Sequence, residues 1–461
     1  MSNFWDFSVW GTFNVFAVLF ASLLLGNILQ KSIPFLRNSL TPTSVIGGLI
    51  LIAVAAVYKA ITGDVMFDTP FFGGTGTEVL EVITYHTLAL GFIASTLKSS
   101  DSKMTKQRTG EIFNTGVTTV SMYLIQAVVG FGITLAAAAL IPGFFKAAGI
   151  LLPFGYGQGT GQALNYGNIY ETEFGFEGGK SFGLTIAALG FLSASIGGVI
   201  YLNIMKSRGK LRLADKSQFA PPAGESPDGD NEIPLNESLD KLTVQVSLIA
   251  VAYFITYLLM FLLGMLVPGL KSVVYGFNFL IGVLSAILVK TVLKFFRKKN
   301  IVKKEYLNNF LLTRTGNFLF DIMIVSGIAA IRLDIVEKYW GIIAILAVAG
   351  TIVTFAYTRW TAKVLFPGYA EEQFLMMYGM LTGTASTGII LLREVDGEFR
   401  TPASDNMVYQ NLPAIAFGFP MMLLATLAPK KPALTMVILT VYCIALNIIL
   451  FRKQIFRKKR K

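Results

Sequence analysis

The sequence predicts an all-α polytopic membrane protein, and three observations indicate this class. The 461 residues are 54% hydrophobic with a mean hydropathy of +0.62. Charged residues make up only 14% of the chain, against about 25% in soluble domains. Apolar segments of about 20 residues, the length that crosses a bilayer core as a helix, recur from one end to the other. The single cysteine excludes an intrachain disulfide and a cysteine-based metal site.

Eleven segments are predicted to span the membrane. Two shorter, interrupted segments remain between them, at residues 150–171 and 374–393. The predicted spans are residues 8–29, 41–58, 80–97, 117–141, 181–204, 244–267, 273–293, 316–331, 340–358, 408–428 and 434–451.

Basic residues in the connections predict the orientation of the chain. With the amino terminus outside, most of the 39 Lys and Arg residues fall on the cytoplasmic side, including the clusters RKKNIVKK and RKQIFRKKRK. The carboxy terminus is then cytoplasmic, and the net charge of +12 reflects topology rather than nucleic-acid binding. No Lys or Arg precedes the first apolar segment, so we expect it to be a span and not a cleavable signal peptide.

The chain divides into two halves of opposite predicted topology. Residues 1–205 form the first half and residues 242–428 the second half. Between them, a Pro-, Gly- and Asp-rich stretch at 206–241 is predicted to be a flexible cytoplasmic linker. Residues 429–461 are predicted to form an additional helix with a basic tail. Five spans precede the linker, so the second half starts on the other side. IGGL at Ile46 is echoed by IGVL at Ile281, and GFIASTLK at Gly91 by GIAAIRLD at Gly327. We therefore expect two inverted-topology repeats of about five helices, each with a re-entrant hairpin.

The first interrupted segment reads PFGYGQGTGQALNYGNIYE at residues 153–171. Irregular backbone at bilayer depth is tolerated where protein buries it or a watery cavity hydrates it. Taken alone, the glycines also fit a phosphate-binding loop or an extramembrane turn. A counterpart, YGMLTGTASTGIILLRE from Tyr378, stands at the corresponding place in the second half. Interrupted segments at matching positions of two inverted halves indicate a transporter site near the membrane midplane.

At these residues the chain resembles the bacterial sodium/glutamate symporter family. The likeness runs to about Ala428 and includes LLLGNILQKSIPFLRNSLTPTSVIGGL, GQGTGQA with YGNIYETEFGF, the pair Gly316 and Asn317, and GTASTGI. It implies Na⁺-coupled symport of glutamate or a related small anionic amino or dicarboxylic acid, an elevator-like homodimer and a bacterial inner-membrane location. The chain departs from the family in its last helix and in Gln158 and Gln162, which stand where better-known members have histidine and alanine. These departures leave the substrate open.

Small and neutral polar residues on the two interrupted segments are the candidate ligands. Backbone N–H groups at a helix start hold a carboxylate, and carbonyl and hydroxyl oxygens coordinate Na⁺. The alternative for each is close helix packing, and for Arg393 an ion pair with Glu394 or Asp396. The predicted substrate-binding residues are Gly157, Gln158, Gly159, Thr160, Gly161, Gln162, Asn165, Gly383, Thr384, Ser386, Thr387 and Arg393.

Asp321 is the strongest ionisable candidate, because a carboxylate inside an apolar segment needs a partner, a cation or a proton. Its alternative role is to cap a helix that begins later than predicted. Asn317, one turn earlier, and Thr382 complete the predicted ion-binding set. Glu171 and Glu173 are predicted to lie in a solvated outer loop.

The predicted function is secondary active transport by alternating access, with Na⁺ as coupling ion and no other cofactor. The expected partners are a small anionic solute, Na⁺, the lipid bilayer and a second copy of the chain. The alternatives are an ion channel with re-entrant selectivity loops and a proton-coupled transporter of another organic anion. HExxH, GxSxG and Walker motifs do not occur, which argues against an enzyme.

Overall fold

The structure is a computed structural model that describes residues 3–98, 105–209, 239–301, 303–397 and 399–455. These residues form helices and no strands. Ten helices among them are long and apolar enough to cross a membrane, and a bent pair near the end raises this to eleven. The predicted all-α class with many membrane-spanning helices is confirmed, and the inverted relation of the two halves stays a prediction. The interior of the predicted linker and the last residues of the basic tail lie outside the described residues and stay predictions.

The first half contains six long helices, one short helix and one irregular arm. The arm, residues 146–157, combines a 3-10 helix at Lys146–Ile150 with a π-helical turn at Pro153–Gly157. The helices are α1 (Phe7–Ser32), α2 (Pro34–Asn38), α3 (Thr43–Thr62), α4 (Gly76–Leu97), α5 (Lys106–Leu140), α6 (Thr160–Phe174) and α7 (Gly179–Ser207).

The second half repeats this order with helices of similar length. Its first helix has 26 residues, as α1 has, and its longest helix has 33 residues, compared with 35 in α5. Its helices are α8 (Lys241–Leu266), α9 (Lys271–Gly276), α10 (Asn278–Lys298), α11 (Asn309–Ala329), α12 (Leu333–Leu365), α13 (Ala370–Thr382), α14 (Ala385–Arg393), α15 (Ala403–Tyr409) and α16 (Asn411–Leu427), and they are followed by α17 (Pro432–Leu450) and α18 (Arg452–Ile455).

Several spans are longer than predicted. The α5 helix starts at Lys106 instead of residue 117, and α11 at Asn309 instead of residue 316. Hydropathy detects only the apolar part of a span, whereas these polar first turns are stabilised by caps, with Thr105 accepting from the Arg108 N–H. The span predicted at 408–428 is the pair α15 and α16, bent by 53°, where Pro413 lacks the N–H that would continue the helix.

The helices pack in two groups in which each half supplies equivalent members. In the scaffold bundle, α1 packs on α3 as α8 packs on α10, and α3 packs on α11 as α10 packs on α4. In the hairpin bundle, α7 packs on α12 as α16 packs on α5, and the broken segments insert between these helices. Each of these pairs therefore has a counterpart in which the first-half helix and the second-half helix have changed places. This pattern is expected of two halves related by a pseudo-two-fold axis.

The two interrupted segments are helical hairpins. In the first hairpin (residues 146–174) the arms are antiparallel, because the Phe154 ring stacks on Tyr166 at 3.7 Å and Phe145 packs on Tyr170 at 5.3 Å between centroids. In the second hairpin (residues 370–393), a Cβ on Gly379 would lie 2.8 Å from the Cα of Gly388. Both hairpins are therefore tightly closed, each with a tip and an open end.

The open ends of the hairpins lie at opposite ends of α5. The first hairpin opens beside the end of α5, where the N–H of Gly149 donates to Thr134 Oγ1 at 3.0 Å. The second opens beside the start of α5, where Gln373 Nε2 donates to Thr115 Oγ1 at 3.2 Å. We call the end at which α5 finishes the first face and the end at which it begins the second face.

Candidate functional site

The tips of the two hairpins touch in the middle of the hairpin bundle. The first hairpin breaks at Gln158 and Gly159, and the second at Gly383 and Thr384. A Cβ built on Gly159 would lie 3.3 Å from Thr384 Cγ2 and 3.7 Å from the Gly383 carbonyl oxygen. Gly159 has φ 81° and ψ −171°, a conformation open essentially to glycine alone. The tip of the first hairpin therefore requires glycine at this position.

Two helix starts converge at the tips. The α6 helix begins directly after Gly159 and α14 directly after Thr384, and neither has a side-chain cap. The first backbone bonds to the two cap carbonyls come from the N–H groups of Ala163 and Gly388. The N–H groups before them have no acceptor in their own helix, and the positive ends of both helix dipoles point to the same place. Such an arrangement suits an anion.

Six of the sixteen buried side-chain polar atoms without a hydrogen-bond partner in the described residues lie at or beside the tips. Gln162 is 1% exposed and both of its amide atoms are unpartnered. Leaving a buried polar atom unpaired costs about 1–3 kcal/mol, so the atoms at the tips are candidates for contact with a bound ligand. The unpartnered atoms at the tips are Gln158 Nε2, Gln162 Nε2 and Oε1, Thr384 Oγ1, Thr387 Oγ1 and Gln126 Oε1.

Gln126 is a site residue that our sequence reasoning missed. Its Nε2 donates to Thr354 Oγ1 at 2.8 Å and to the Leu381 carbonyl at 3.0 Å, which joins α5, α12 and the tip of the second hairpin. A carbonyl only accepts, so this bond fixes the amide orientation and leaves Oε1 as the unpartnered atom. One turn earlier, the Tyr123 hydroxyl donates to the Gly157 carbonyl at 3.1 Å. The α5 helix thus holds both tips.

A hydroxyl cluster fixes the π-helical turn of the first hairpin. The Tyr156 hydroxyl donates to the Ala347 carbonyl at 2.8 Å and lies 3.0 Å from Ser193 Oγ, which lies 2.7 Å from Thr351 Oγ1. These bonds join the turn to α7 and α12. All described polar groups of this cluster are satisfied by one another, so its role is to position the hairpin.

The two tips differ in their surroundings. The first tip is buried against the scaffold bundle, where Thr160 Oγ1 donates to the Met323 carbonyl at 3.3 Å and a Cβ on Gly161 would lie 2.7 Å from Leu88. The second tip is more open, with Ala385 exposed and Ser386 partly exposed. The structure is therefore asymmetric about the site.

The chain matches a known protein family. The sequence profile described as sodium/glutamate symporter matches residues 9–369. The chain belongs to the sodium/glutamate symporter family. The match spans the scaffold bundle and the first hairpin and ends before α13, so the second hairpin lies beyond it. A comparison with curated protein sequences found no match. Membership of a symporter family makes the chain a membrane transport protein.

In this member of the sodium/glutamate symporter family, most of the predicted substrate-binding residues meet at the tips, and two do not. Asn165 Nδ2 donates to the Gly276 carbonyl at 3.2 Å and faces the scaffold bundle. Arg393 ends α14, at the far end from the tip, with its guanidinium 5.2 Å from the centre of the Phe399 ring. The residues at or beside the tips are Gly157, Gln158, Gly159, Thr160, Gly161, Gln162, Thr382, Gly383, Thr384, Ser386 and Thr387.

Asp321 lies in the interior of α11, so the alternative that it caps a late-starting helix is wrong. Its side chain is exposed, as is that of Asn317 one turn earlier. The carboxyl group lies near the buried Ser44 hydroxyl at the start of α3. Neither residue contacts the tips through a described hydrogen bond, so ion binding by Asp321 and Asn317 stays a prediction. The Thr382 hydroxyl donates to the Tyr378 carbonyl within its own helix.

A cavity of about 750 Å³ opens at the first face between α4, α6 and the start of α7. Lys180 Nζ lies 2.7 Å from Glu81 Oε2 and 3.8 Å from Glu171 Oε1 in its wall. Glu171 and Glu173 belong to α6, so their predicted loop position is wrong, because α6 continues to Phe174. The cavity reaches down to Leu164 and Asn165 and stops short of the tips.

Proposed function

We propose that this symporter imports glutamate or a closely related small anionic amino or dicarboxylic acid together with Na⁺. The observation that carries the proposal is the meeting of two uncapped helix starts, surrounded by unpartnered neutral polar atoms, at the tips of two hairpins. Family membership supports the cation and the class of solute.

The donors at the tips suit a carboxylate. The free N–H groups of α6 and α14 carry the positive ends of both helix dipoles, and the amides of Gln158 and Gln162 add neutral donors. Neutral donors hold an anion less tightly than a buried Arg, which favours release. The hydroxyls of Thr384 and Thr387 and the Gln126 Oε1 atom are the oxygen ligands that suit a hard monovalent cation next to it.

Alternating access between two inverted repeats is the proposed mechanism. The repeated order of elements, the recurring packing pairs and the opposite open ends of the hairpins support inverted topology. The charge distribution supports an amino terminus outside, so the first face is the outer one. The hairpin bundle moves against the scaffold bundle, in the manner of an elevator, and a homodimer formed through scaffold bundles provides the fixed part.

A channel is the second candidate, because re-entrant loops also build selectivity filters. The contact between Gly159 and Thr384 argues against it, since the tips close on each other where a filter would leave an open axis. A proton-coupled transporter of another small organic anion is the third, and it differs in the driving cation and in the solute.

The test is uptake of radiolabelled glutamate by the purified protein in proteoliposomes. We expect an inward Na⁺ gradient to drive accumulation, and imposed H⁺ and K⁺ gradients to leave it near background. Uptake that ignores every cation gradient rules out symport, and accumulation driven by H⁺ alone supports the proton-coupled alternative. Ion flux far above ~10³ per second, beyond typical turnover, supports a channel. Unlabelled aspartate and dicarboxylates as competitors then define the solute.

A further inference from the structure

One face of α4 lines the cavity at the first face. Glu78, Glu81, Val82 and Tyr85 follow each other at helical spacing and all belong to the cavity wall. The carbonyl of Tyr85 accepts a hydrogen bond at 2.9 Å from the side chain of Asn278, the first residue of α10.

The sequence repeat relates this face of α4 to a corresponding face of α11. Gly91 and Gly327, which begin the echoed motifs, are 236 positions apart, and the same offset converts Tyr85 into Asp321. The surroundings agree, because Tyr85 lies beside the start of α10 and Asp321 beside Ser44, at the start of α3. The residues that correspond to the cavity wall are Arg314, Asn317, Phe318 and Asp321.

All four corresponding residues are exposed. Asp321 is the thirteenth residue of α11, about 18 Å along the helix at 1.5 Å per residue. A guanidinium, an amide and a carboxylate that follow one face of the helix between about 8 and 18 Å from its start are expensive in hydrocarbon and characteristically face water or a partner. Phe318 stacks on Phe20 of α1 at 6.1 Å and marks the edge of this polar face.

The two hairpins differ in whether their second helix packs on the scaffold bundle. In the first hairpin, α6 packs on α4 and α11 of the scaffold bundle, whereas in the second hairpin α14 packs on α13, α7 and α15 of its own bundle. The tip of the first hairpin is buried, and Ala385 at the tip of the second is exposed. The scaffold face that α14 would cover in a symmetric arrangement is the one that carries Asn317 and Asp321.

We propose that Arg314, Asn317 and Asp321 form one wall of a water-filled passage from the second face to the tip of the second hairpin. It is the counterpart of the cavity at the first face, and in the described conformation it is the open route to the site. Its solutes are those of the proposed function, on which this inference rests, with Arg314 facing the small anion and Asp321 the cation as they leave. This gives the exposed carboxylate a role on the passage instead of at the tips.

The test is thiol alkylation by a membrane-impermeant maleimide. The chain has one cysteine, so Cys443→Ser gives a cysteine-free background. Asn317→Cys is compared with Leu258→Cys, an exposed apolar position of α8 (42%), and with Ile324→Cys, a buried position of α11 (1%). We expect Asn317→Cys to react at least about 10-fold faster than both, because the reactive thiolate forms in water and is suppressed in apolar surroundings.

Sidedness completes the test. In sealed membranes we expect Asn317→Cys to react only from the second face and Val82→Cys, in the cavity wall, only from the first face. Arg314→Cys serves as a second passage variant if Asn317→Cys does not fold. Reaction of Asn317→Cys at the rate of Leu258→Cys, or from the first face, overturns the passage. Labelling requires no transport, so the two proposals can fail separately. If Asn317→Cys reacts at the control rate while Na⁺-driven uptake is intact, only the passage is contradicted. If it reacts as expected while Na⁺-driven uptake is absent, only the proposed function is contradicted.

Discussion

The side-chain nitrogen of Gln126 lies 3.0 Å from the carbonyl oxygen of Leu381, and through this contact the longest helix of the first half holds the tip of the second hairpin. The same amide reaches Thr354 of α12. A single neutral side chain therefore ties together elements from both halves at the level of the candidate site.

Replacing Gln126 with Glu removes the donor that the Leu381 carbonyl requires. We expect a loss of Na⁺-driven uptake by roughly 10-fold or more, since an unpaired buried carbonyl costs about 1–3 kcal/mol and 1.4 kcal/mol is tenfold. The apparent Na⁺ affinity should change as well, because Oε1 is next to the tips. Gln107→Glu, at an exposed position of the same helix, is the matched control, and equal effects of the two variants contradict the assignment.

Gly159→Ala should abolish uptake, because its backbone conformation is strained for alanine and a Cβ would meet Thr384 Cγ2 at 3.3 Å. Gly143→Ala is the control for a positive φ, with φ of 78° and nothing within 4 Å of the added Cβ. Uptake and the melting temperature are measured for both. If the control loses as much uptake as Gly159→Ala, backbone strain alone explains the result and the contact between tips does not matter.

Gln162→Ala should raise the KM for glutamate by about 10-fold, on the scale of one lost hydrogen bond to a charged group. The amide has no partner within the described protein, so its removal breaks no described hydrogen bond and should not lower the melting temperature. Gln107→Ala, which is exposed, tests for a general effect of losing an amide. An unchanged KM with lower stability assigns Gln162 to packing instead of binding.

The ion pair between Glu81 and Lys180 joins α4 of the scaffold bundle to α7 of the hairpin bundle. If the bundles move against each other, this pair breaks in every cycle, so Glu81→Gln should alter the maximal uptake rate by a few-fold, in keeping with about 1 kcal/mol for a partly exposed pair. Exchange of the two charges should restore the rate.

The pair between Lys338 and Glu177 is the control for this experiment. It is 2.6 Å long and joins α12 to the loop between α6 and α7, so both partners belong to the hairpin bundle. Glu177→Gln is expected to leave the uptake rate unchanged. Uptake equally sensitive to both pairs argues for a general electrostatic effect at this face and against relative motion of the bundles.

Much of the fold was predictable from the sequence because apolar length and glycine interruptions are local signals. The order of the spans, the two broken segments and most tip residues followed from these. The starts of α5 and α11 did not, since their first turns are polar and are stabilised by caps that hydropathy does not detect.

The remaining site features depend on tertiary contacts that a pattern does not contain. Gln126 is one of several polar residues of α5, and only its hydrogen bonds to Thr354 and Leu381 reveal its role. Arg393 is only six residues from Thr387 in the sequence, yet the geometry of α14 carries it to the far end of the hairpin. Asp321 was recognised as unusual, but its distance from the tips required the packing of α11.

The exchange of packing partners between the halves also bears on biogenesis. The α4 helix packs on α10 and α11, and α5 packs on α12 and α16. During synthesis, the helices of residues 1–209 therefore lack these packing partners until the second half has been translated. The nascent amino-terminal fragment must wait in the lipid, or with a chaperone, until the rest arrives. Two fragments cut within the linker and co-expressed should consequently assemble with each other, while either one produced alone should be degraded.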